Sequence, residues 1–139
     1  MNADNQQERL RFAGWIVGFI DGVGCFCVSI HKSPNTKLGW QVFPEFVVTQ
    51  GEKSLDSLKK IKDFFACGNI FVNKRYDNHK ENLYRYCVRS LDDLRDKVIP
   101  FFSENSLRTA KKNDFEIFKK AMKMIEVNKH LSMNGIKEI

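Results

Sequence analysis

The sequence predicts an α+β domain with the element order α-β-β-α-β-β-α and one four-stranded antiparallel sheet that carries helices on one face. Four segments alternate apolar and polar residues with a period of two, and they form two pairs, each joined by a short polar loop. The segments around these pairs place apolar residues at helical spacing. Two ββα units after a leading helix predict a single sheet. The 139 residues fit one such domain, residues 1–139.

The first helix is predicted over about residues 7–22, and glycines line one side of it. Gly14, Gly18 and Gly22 are spaced by four, so they share a face. Each glycine inside a helix costs about 1 kcal/mol relative to alanine. Three of them on one face predict a compensating close approach by another backbone. That backbone belongs either to another helix of this chain or to the same helix of a second chain.

Two hairpins are predicted, one from strands 25–32 and 40–50 and the other from strands 68–75 and 83–90. The helix between them, within residues 52–65, has one apolar face made of Leu55, Leu58, Ile61 and Phe65.

After the second hairpin, Ser90 is placed to cap a helix, which Pro100 disturbs near its end. The apolar residues of that helix are Leu91, Leu94 and Val98. A last long helix is predicted over about residues 108–127, and the tail 130–139 predicts a short one. The inward side of the long helix is predicted to carry Phe115, Phe118, Met122 and Ile125.

The face of the sheet away from the helices must meet solvent or a ligand, and strand alternation assigns its residues. They mix basic, amide, hydroxyl and apolar groups, the types that read base edges in a major groove. The alternative is an ordinary solvated face, and the net charge of +6 favours a polyanionic partner only weakly. The assigned residues are Cys27, Ser29, His31, Gln41, Phe43, Glu45, Val47, Thr49, Asn69, Phe71, Asn73, Arg75, Arg85, Cys87 and Arg89.

Composition excludes several other classes of protein. No apolar run approaches the length of a membrane span, and the polar first ten residues do not fit a secretory signal. The cysteines at positions 25, 27, 67 and 87 do not follow zinc-ligand spacing, which favours reduced thiols in an intracellular protein.

Residues 16–24, with the sequence IVGFIDGVG, resemble the signature helix of the LAGLIDADG homing endonucleases. Gly18, Asp21 and Gly24 match that motif identically, and the apolar positions match in kind. The element order agrees over nearly the whole chain, and a single motif in so short a chain resembles the homodimeric branch. The resemblance implies a saddle-shaped sheet, site-specific binding of double-stranded DNA, and magnesium-dependent hydrolysis of both strands. It also implies an intron-encoded protein of a chloroplast, a mitochondrion or a prokaryotic cytoplasm.

In this family two signature helices pack against each other at the centre of the molecule. The resemblance therefore assigns to the dimer interface Gly14, Gly18, Asp21 and Gly22. Pairing of this kind lays each sheet in the major groove of one half-site, and a two-fold protein implies a pseudo-palindromic duplex. The strongest candidates for guanine or phosphate contacts are then Arg75, Arg85 and Arg89.

Val23 departs from the family at the eighth motif position, where the family has the acid that binds the metal. Valine has no oxygen donor, and in a homodimer both sites lack the acid. The Gly22 carbonyl remains as one poor ligand. Asp21 does not replace the acid, because successive helical residues point about 100° apart, and its expected role is structural. The resemblance thus implies specific DNA binding with cleavage lost or much reduced, and with magnesium weakly held or lost.

The resemblance also implies three catalytic residues. Gln50 ends the second strand, where the family has a polar group that organises water, although an amide there also suits a backbone hydrogen bond. Arg108 and Lys111, with Lys112, suit a cation beside the scissile phosphate or, equally, a solvated helix start. Two other functions stay open: a maturase or gene regulator built on the same fold, and a small interaction protein with no nucleic acid.

Overall fold

The computed structural model describes residues 3–74 and 81–139, and its element order follows the predicted one. The leading helix and first hairpin are α1 (Ala3–Val23), β1 (Gly24–Lys32) and β2 (Trp40–Gly51). After a 3-10 turn at Glu52–Ser54 come α2 (Leu55–Phe65), β3 (Asn69–Asn73) and β4 (Leu83–Val88). The C-terminal part holds α3 (Leu91–Asp93), a π-helical turn (Leu94–Val98), α4 (Ile99–Glu104), α5 (Lys111–Glu126), a 3-10 turn (Lys129–Leu131) and α6 (Met133–Glu138).

The four strands form one antiparallel sheet in the order β1-β2-β4-β3, so β2 and β4 are the inner strands. The register pairs Phe26 with Phe46 and Phe46 with Val88, which places these three side chains on the face that the helices cover. The predicted α+β class is therefore confirmed.

Aromatic rings fill the space between the sheet and the helices. The ring centroid of Phe26 lies 5.2 Å from that of Phe46, 5.5 Å from that of Phe102 and 5.3 Å from that of Phe115. Of the residues predicted to point inward, α2 buries Leu58, Ile61 and Phe65, and α5 buries Phe115, Phe118, Met122 and Ile125. Leu55, predicted on the same face of α2, is only half-buried at the first position of that helix.

Helix α1 passes into β1 without a loop, and Gly24 makes this possible. A Cβ added at Gly24 would lie 2.5 Å from Ile20 Cγ2 and 3.0 Å from the Ile20 carbonyl oxygen. Only glycine allows the chain to turn this close to the preceding helical turn. The helix begins at Ala3, earlier than the predicted residue 7, and Ile16 and Ile20 anchor it in the core with no exposed surface.

The disturbance predicted at Pro100 does not lie near the end of the helix, because Pro100 stands in the first turn of α4 and the helical path continues to Glu104. Proline lacks an N–H and clashes with the carbonyl four residues earlier. The π-helical turn at Leu94–Val98 precedes it and changes the hydrogen-bonding pattern there. Ser90 caps the start as predicted, because its Oγ accepts a hydrogen bond from Asp93 N at 3.3 Å.

Helix α5 begins at Lys111 rather than at the predicted Arg108. The predicted short C-terminal helix is present as α6, capped by Ser132 Oγ, which accepts from Gly135 N at 3.0 Å. Within residues 3–74 and 81–139, no helix combines the length and apolar character needed to cross a bilayer.

Candidate nucleic-acid interface

The sheet face that the helices leave open, here called the outer face, carries the predicted side chains. The register sets Cys27 opposite Glu45 and His31 opposite Gln41. The odd-numbered residues of β4 and β3 point to the same face as these four. Of the predicted residues, Arg75 lies outside the described ranges; the others share this face. Phe43 and Phe71 are 48% and 39% exposed, so large apolar rings face outward there.

Two predicted contact residues, Val47 and Cys87, lie on the outer face but are covered. Their exposed fractions are 9% and 3%, because these short side chains lie on the inner strands between longer neighbours. Burial raises the pKa of the Cys87 thiol and Glu45 raises it further, whereas Arg85 and Arg89 lower it. Fewer side chains of the outer face are therefore accessible to a ligand than the strand alternation predicts. The Cys87 thiol lies among charged groups.

Arg85 and Arg89 have different surroundings. Arg89 Nε donates a hydrogen bond to Glu45 Oε2, and its Cζ lies 5.2 Å from the centroid of the Phe71 ring. The Arg85 Nε is buried and has no hydrogen-bond partner among the described residues. The guanidinium of Arg89 is thus held by contacts within the chain, whereas the Nε of Arg85 is a hydrogen-bond donor without an acceptor among the described residues.

The end of α1 is tied to the segment before α5 by Asp21. Its carboxylate accepts hydrogen bonds from Arg108 N (3.0 Å to each oxygen), Thr109 N (3.1 Å) and Thr109 Oγ1 (2.9 Å). These bonds hold residues 108 and 109 outside α5, which explains the late start of that helix. Sequence reasoning placed Asp21 at the dimer interface with a structural role; its partner Thr109, 88 residues away, was missed.

The net effect of these contacts lowers the pKa of Asp21. Desolvation raises it, but the backbone N–H groups of Thr109 and Arg108, the Thr109 hydroxyl and the Arg108 charge together outweigh that effect. Asp21 is therefore a stably ionised carboxylate whose oxygens are engaged by its own chain. Thr109 carried one weak signal in the sequence, since a threonine just before a helix often takes part in capping.

Val23 is the last residue of α1, and Gln50 is the residue before the last of β2. Gly24 pairs with Val48, and Gln50 is two residues further along β2, on the parity of the helix-covered face. Val23 is 41% exposed, so its apolar side chain partly faces solvent at the motif's eighth position. Gln50 thus lies at the end of the second strand as predicted, and its catalytic role stays a prediction.

Two cysteines of β1 lie close to each other, and the charge of Lys111 acts on one of them. Cys25 Sγ and Cys27 Sγ are 2.8 Å apart, and both thiols are free. Desolvation, the hydrogen bond with Cys25, and the charges of Cys25 and Glu45 raise the pKa of Cys27 to about 12, although the Lys111 ammonium opposes this. Lys111 thus acts on a group of the outer face, whereas Arg108 lies on the side of the glycines.

The glycine face of α1 is open in this chain. A Cβ added at Gly14, Gly18 or Gly22 would meet no atom of the described chain within 4 Å. A groove of about 370 Å³ runs beside the glycines and is lined by Gly14, Val17, Gly18, Asp21, Asn105, Ser106 and Arg108. The predicted close approach is therefore not made by another described segment of this chain.

Comparison with known protein families identifies this arrangement. The model of the family described as LAGLIDADG endonuclease matches residues 16–122, which is more than half of the chain. The chain belongs to the LAGLIDADG endonuclease family. Its fold is that of the homing endonucleases, because solved structures of that class superpose on most of it.

One curated relative and two solved structures illustrate how similar this chain is to known proteins. The probable intron-encoded endonuclease 2 of Neurospora crassa is 34% identical over 126 residues, which cover 90% of this chain and 27% of that protein. The crystal structure of the homing endonuclease I-TnaI superposes with a TM-score of 0.80 at 35% identity, covering 91% of this chain and 82% of that one. I-SmaMI bound to an uncleaved DNA target in the presence of calcium ions gives 0.81 at 34% identity, covering 91% and 42%.

The chain spans about a quarter of the length of the first curated LAGLIDADG relatives it matches, with 27%, 25% and 24% of those proteins covered. Several curated proteins that match this chain are described as probable intron-encoded endonucleases.

The donor set at the LAGLIDADG motif does not fit a divalent metal. A hard cation needs oxygen ligands, and Val23 supplies none. The carboxylate of Asp21 is already bonded to residues 108 and 109. Across residues 3–74 and 81–139, no group of three or more His, Cys, Asp and Glu side chains is arranged to hold a metal ion.

Proposed function

We propose that this LAGLIDADG chain binds one double-stranded DNA site specifically, through its outer face, and that its cleavage of both strands is lost or much reduced. The observation that carries the proposal is an open sheet face with polar, basic and aromatic side chains, opposite a face whose centre the helices cover. Such a surface can present side chains to base edges in a major groove. I-SmaMI, whose fold is similar, has been crystallised on a DNA target.

We further propose that α1 pairs with the α1 of a second copy through Gly14, Gly18 and Gly22. The absence of side chains on this face allows two helix backbones to approach closely. The open space beside each of these glycines supports the proposal. A two-fold arrangement of this kind would match a pseudo-palindromic duplex. As expected for an intron-encoded protein, it would act where its target DNA is held, in an organelle or a prokaryotic cytoplasm.

The loss of cleavage is proposed from the chemistry of Val23. A magnesium ion near the scissile phosphate depends on a carboxylate at this position in the family, and a valine cannot replace it. Gln50, Arg108 and Lys111 remain the candidates for the rest of the catalytic site. Asp21 is not expected to act in place of the missing acid, because its oxygens are engaged within the chain.

Selection from a pool of random duplexes tests specific binding. We expect one sequence family of about two major-groove turns to be enriched, with an affinity that falls steeply as salt rises. Equal and weak binding to every duplex would refute the proposal. Tighter binding to a structured intron RNA than to any selected duplex would instead support the maturase alternative.

Val23→Glu, assayed on the selected duplex with magnesium, tests the loss of cleavage. We expect cleavage of both strands to appear in this variant and to stay at the wild-type level in Val23→Gln, which has a similar size but no charge. Position 23 is 41% exposed, so both side chains have room and both variants should bind DNA. A bound but uncut duplex with Val23→Glu would contradict the view that Val23 alone limits cleavage.

A further inference from the structure

Arg89, Glu45 and Phe71 form a cluster on the outer face that this sequence builds from three strand regions. Arg89 follows β4, Glu45 lies on β2 and Phe71 lies on β3. The guanidinium is held on two sides, since Glu45 Oε2 accepts from its Nε and the Phe71 ring lies beneath its Cζ at 5.2 Å. The Arg89 side chain nevertheless remains 56% exposed, whereas that of Glu45 is only 19% exposed.

The contact with Glu45 leaves a defined part of the guanidinium available. Arginine has five N–H donors in a rigid fork, and the bond to Glu45 uses the one on Nε. The four donors on the two Nη atoms lie at the end of the side chain and are not used by Glu45. Two parallel donors at this end match the O6 and N7 acceptors of guanine. The ring of Phe71 limits rotation of the plane, so this end is oriented before any DNA arrives.

The charge balance of the cluster favours a contact between Arg89 and a base over a contact between Arg89 and a phosphate. A carboxylate on a surface that faces DNA repels phosphates, and Glu45 largely cancels the charge of Arg89 at close range. A neutralised pair contributes little to the release of counterions, which is the source of salt-dependent, sequence-independent affinity. The fixed geometry of the fork is therefore what this cluster offers to a ligand.

We propose that Arg89 reads guanine in a G·C base pair of the target, and that Glu45 is a positioning residue that fixes the Arg89 fork for this contact. The inference rests on the proposed DNA-binding function, and it names one base and the pair of side chains that selects it. Arg85 has no such partner for its Nε among the described residues and is not part of this reading pair.

The test starts with a duplex selected by the wild-type protein. Binding of this duplex and of its single-base-pair variants is then measured for the wild type, Arg89→Lys and Glu45→Gln. Lysine keeps the charge but lacks the fork, and glutamine keeps the shape of glutamate but lacks the charge. Glu116→Gln, at an exposed position of α5, is the matched control for the loss of one negative charge.

We expect the wild type to prefer guanine at one position of each half-site by about 5- to 150-fold, the range for a good bidentate pair. Arg89→Lys should reduce the preference at that position to a few-fold and leave the other positions unchanged. Glu45→Gln should weaken the same preference while it tightens binding to all duplexes at low salt. The released arginine charge should steepen the slope of log affinity against log salt by roughly 0.9 per chain. Glu116→Gln should leave the preference unchanged.

Three outcomes would overturn the inference. The first is a selected duplex whose guanine preferences are all unaffected by Arg89→Lys. The second is a uniform loss of affinity for every duplex with unchanged base preferences, which would make Arg89 a phosphate contact. The third is a Glu45→Gln variant that keeps the full preference, which would leave Glu45 no positioning role. Failure of the wild type to enrich any sequence would refute the proposed function itself, and the inference with it.

Discussion

Asp21→Asn is expected to loosen the junction between α1 and the segment before α5. The aspartate accepts hydrogen bonds from two backbone N–H groups and from one hydroxyl, all on Arg108 and Thr109. Asparagine keeps a single acceptor oxygen and has no charge, so it can replace only part of this set. The same two residues lead into Lys111, so the change should also disturb the candidate catalytic cations.

The size of the effect follows from these contacts. Replacing a carboxylate that caps backbone N–H groups costs about 0.5–2 kcal/mol. Hydrogen bonds to a charged acceptor lie at about 1.5–3 kcal/mol, but solvent can reach this site and screens part of the interaction. We therefore expect the free energy of unfolding to fall by about 1–2 kcal/mol at neutral pH. For a chain of this size the melting temperature should fall by roughly 3–7 °C.

The pH dependence separates this explanation from a general packing defect. Because the pKa of Asp21 is lowered in the folded state, its contribution is present above the ordinary carboxyl pKa of about 3.9 and is lost as the pH falls through the folded-state pKa. The stability difference between the wild type and Asp21→Asn should therefore be largest near pH 7 and shrink below about pH 4.

Urea unfolding of both proteins from pH 3 to pH 7 measures this difference. Asp63→Asn, at an exposed position of α2, is the matched control and should change stability little at any pH. A stability difference for Asp21→Asn that stays constant down to pH 3 would refute the role given to the charge. An unchanged stability at pH 7 would refute the junction itself.

Three further predictions concern packing. Gly18→Leu should convert the proposed dimer to a monomer in sedimentation, because leucine would fill the space that the second helix needs; a dimer that persists would contradict α1 pairing. Gly24→Ala should lower the unfolding free energy by about 1–3 kcal/mol in a thermal melt, since the added Cβ would meet the Ile20 carbonyl oxygen at 3.0 Å, and unchanged stability would argue against this contact. Phe102→Ala should cost about 3–5 kcal/mol or prevent folding, because its ring is 1% exposed and contacts the rings of Phe26 and Phe46; a cost below about 1 kcal/mol would contradict its place in the core.

Local patterns in the sequence were sufficient to predict the elements and their faces. Alternation separated Phe26 and Phe46 from Cys27 and Glu45, because a strand turns successive side chains to opposite faces whatever lies elsewhere in the chain. The nine motif residues were likewise sufficient to identify the family and to show that position 23 departs from its motif. Boundaries were less predictable. The start of α5 was placed too early because the residue that holds Arg108 outside the helix is 87 positions away.

The sequence by itself determined the α+β fold, the outer face and the missing acid, since each depends on residue type and on spacing along a single element. Only the tertiary structure decided which side chains meet across elements. The bond between Asp21 and Thr109 spans 88 positions, and that between Glu45 and Arg89 spans 44. The second pair depends on strand order and register, which bring β2 beside β4, and the first depends on how the end of α1 packs against the segment before α5. For the same reason, Val47 and Cys87 share the polarity of the outer face but are covered by neighbours from adjoining strands.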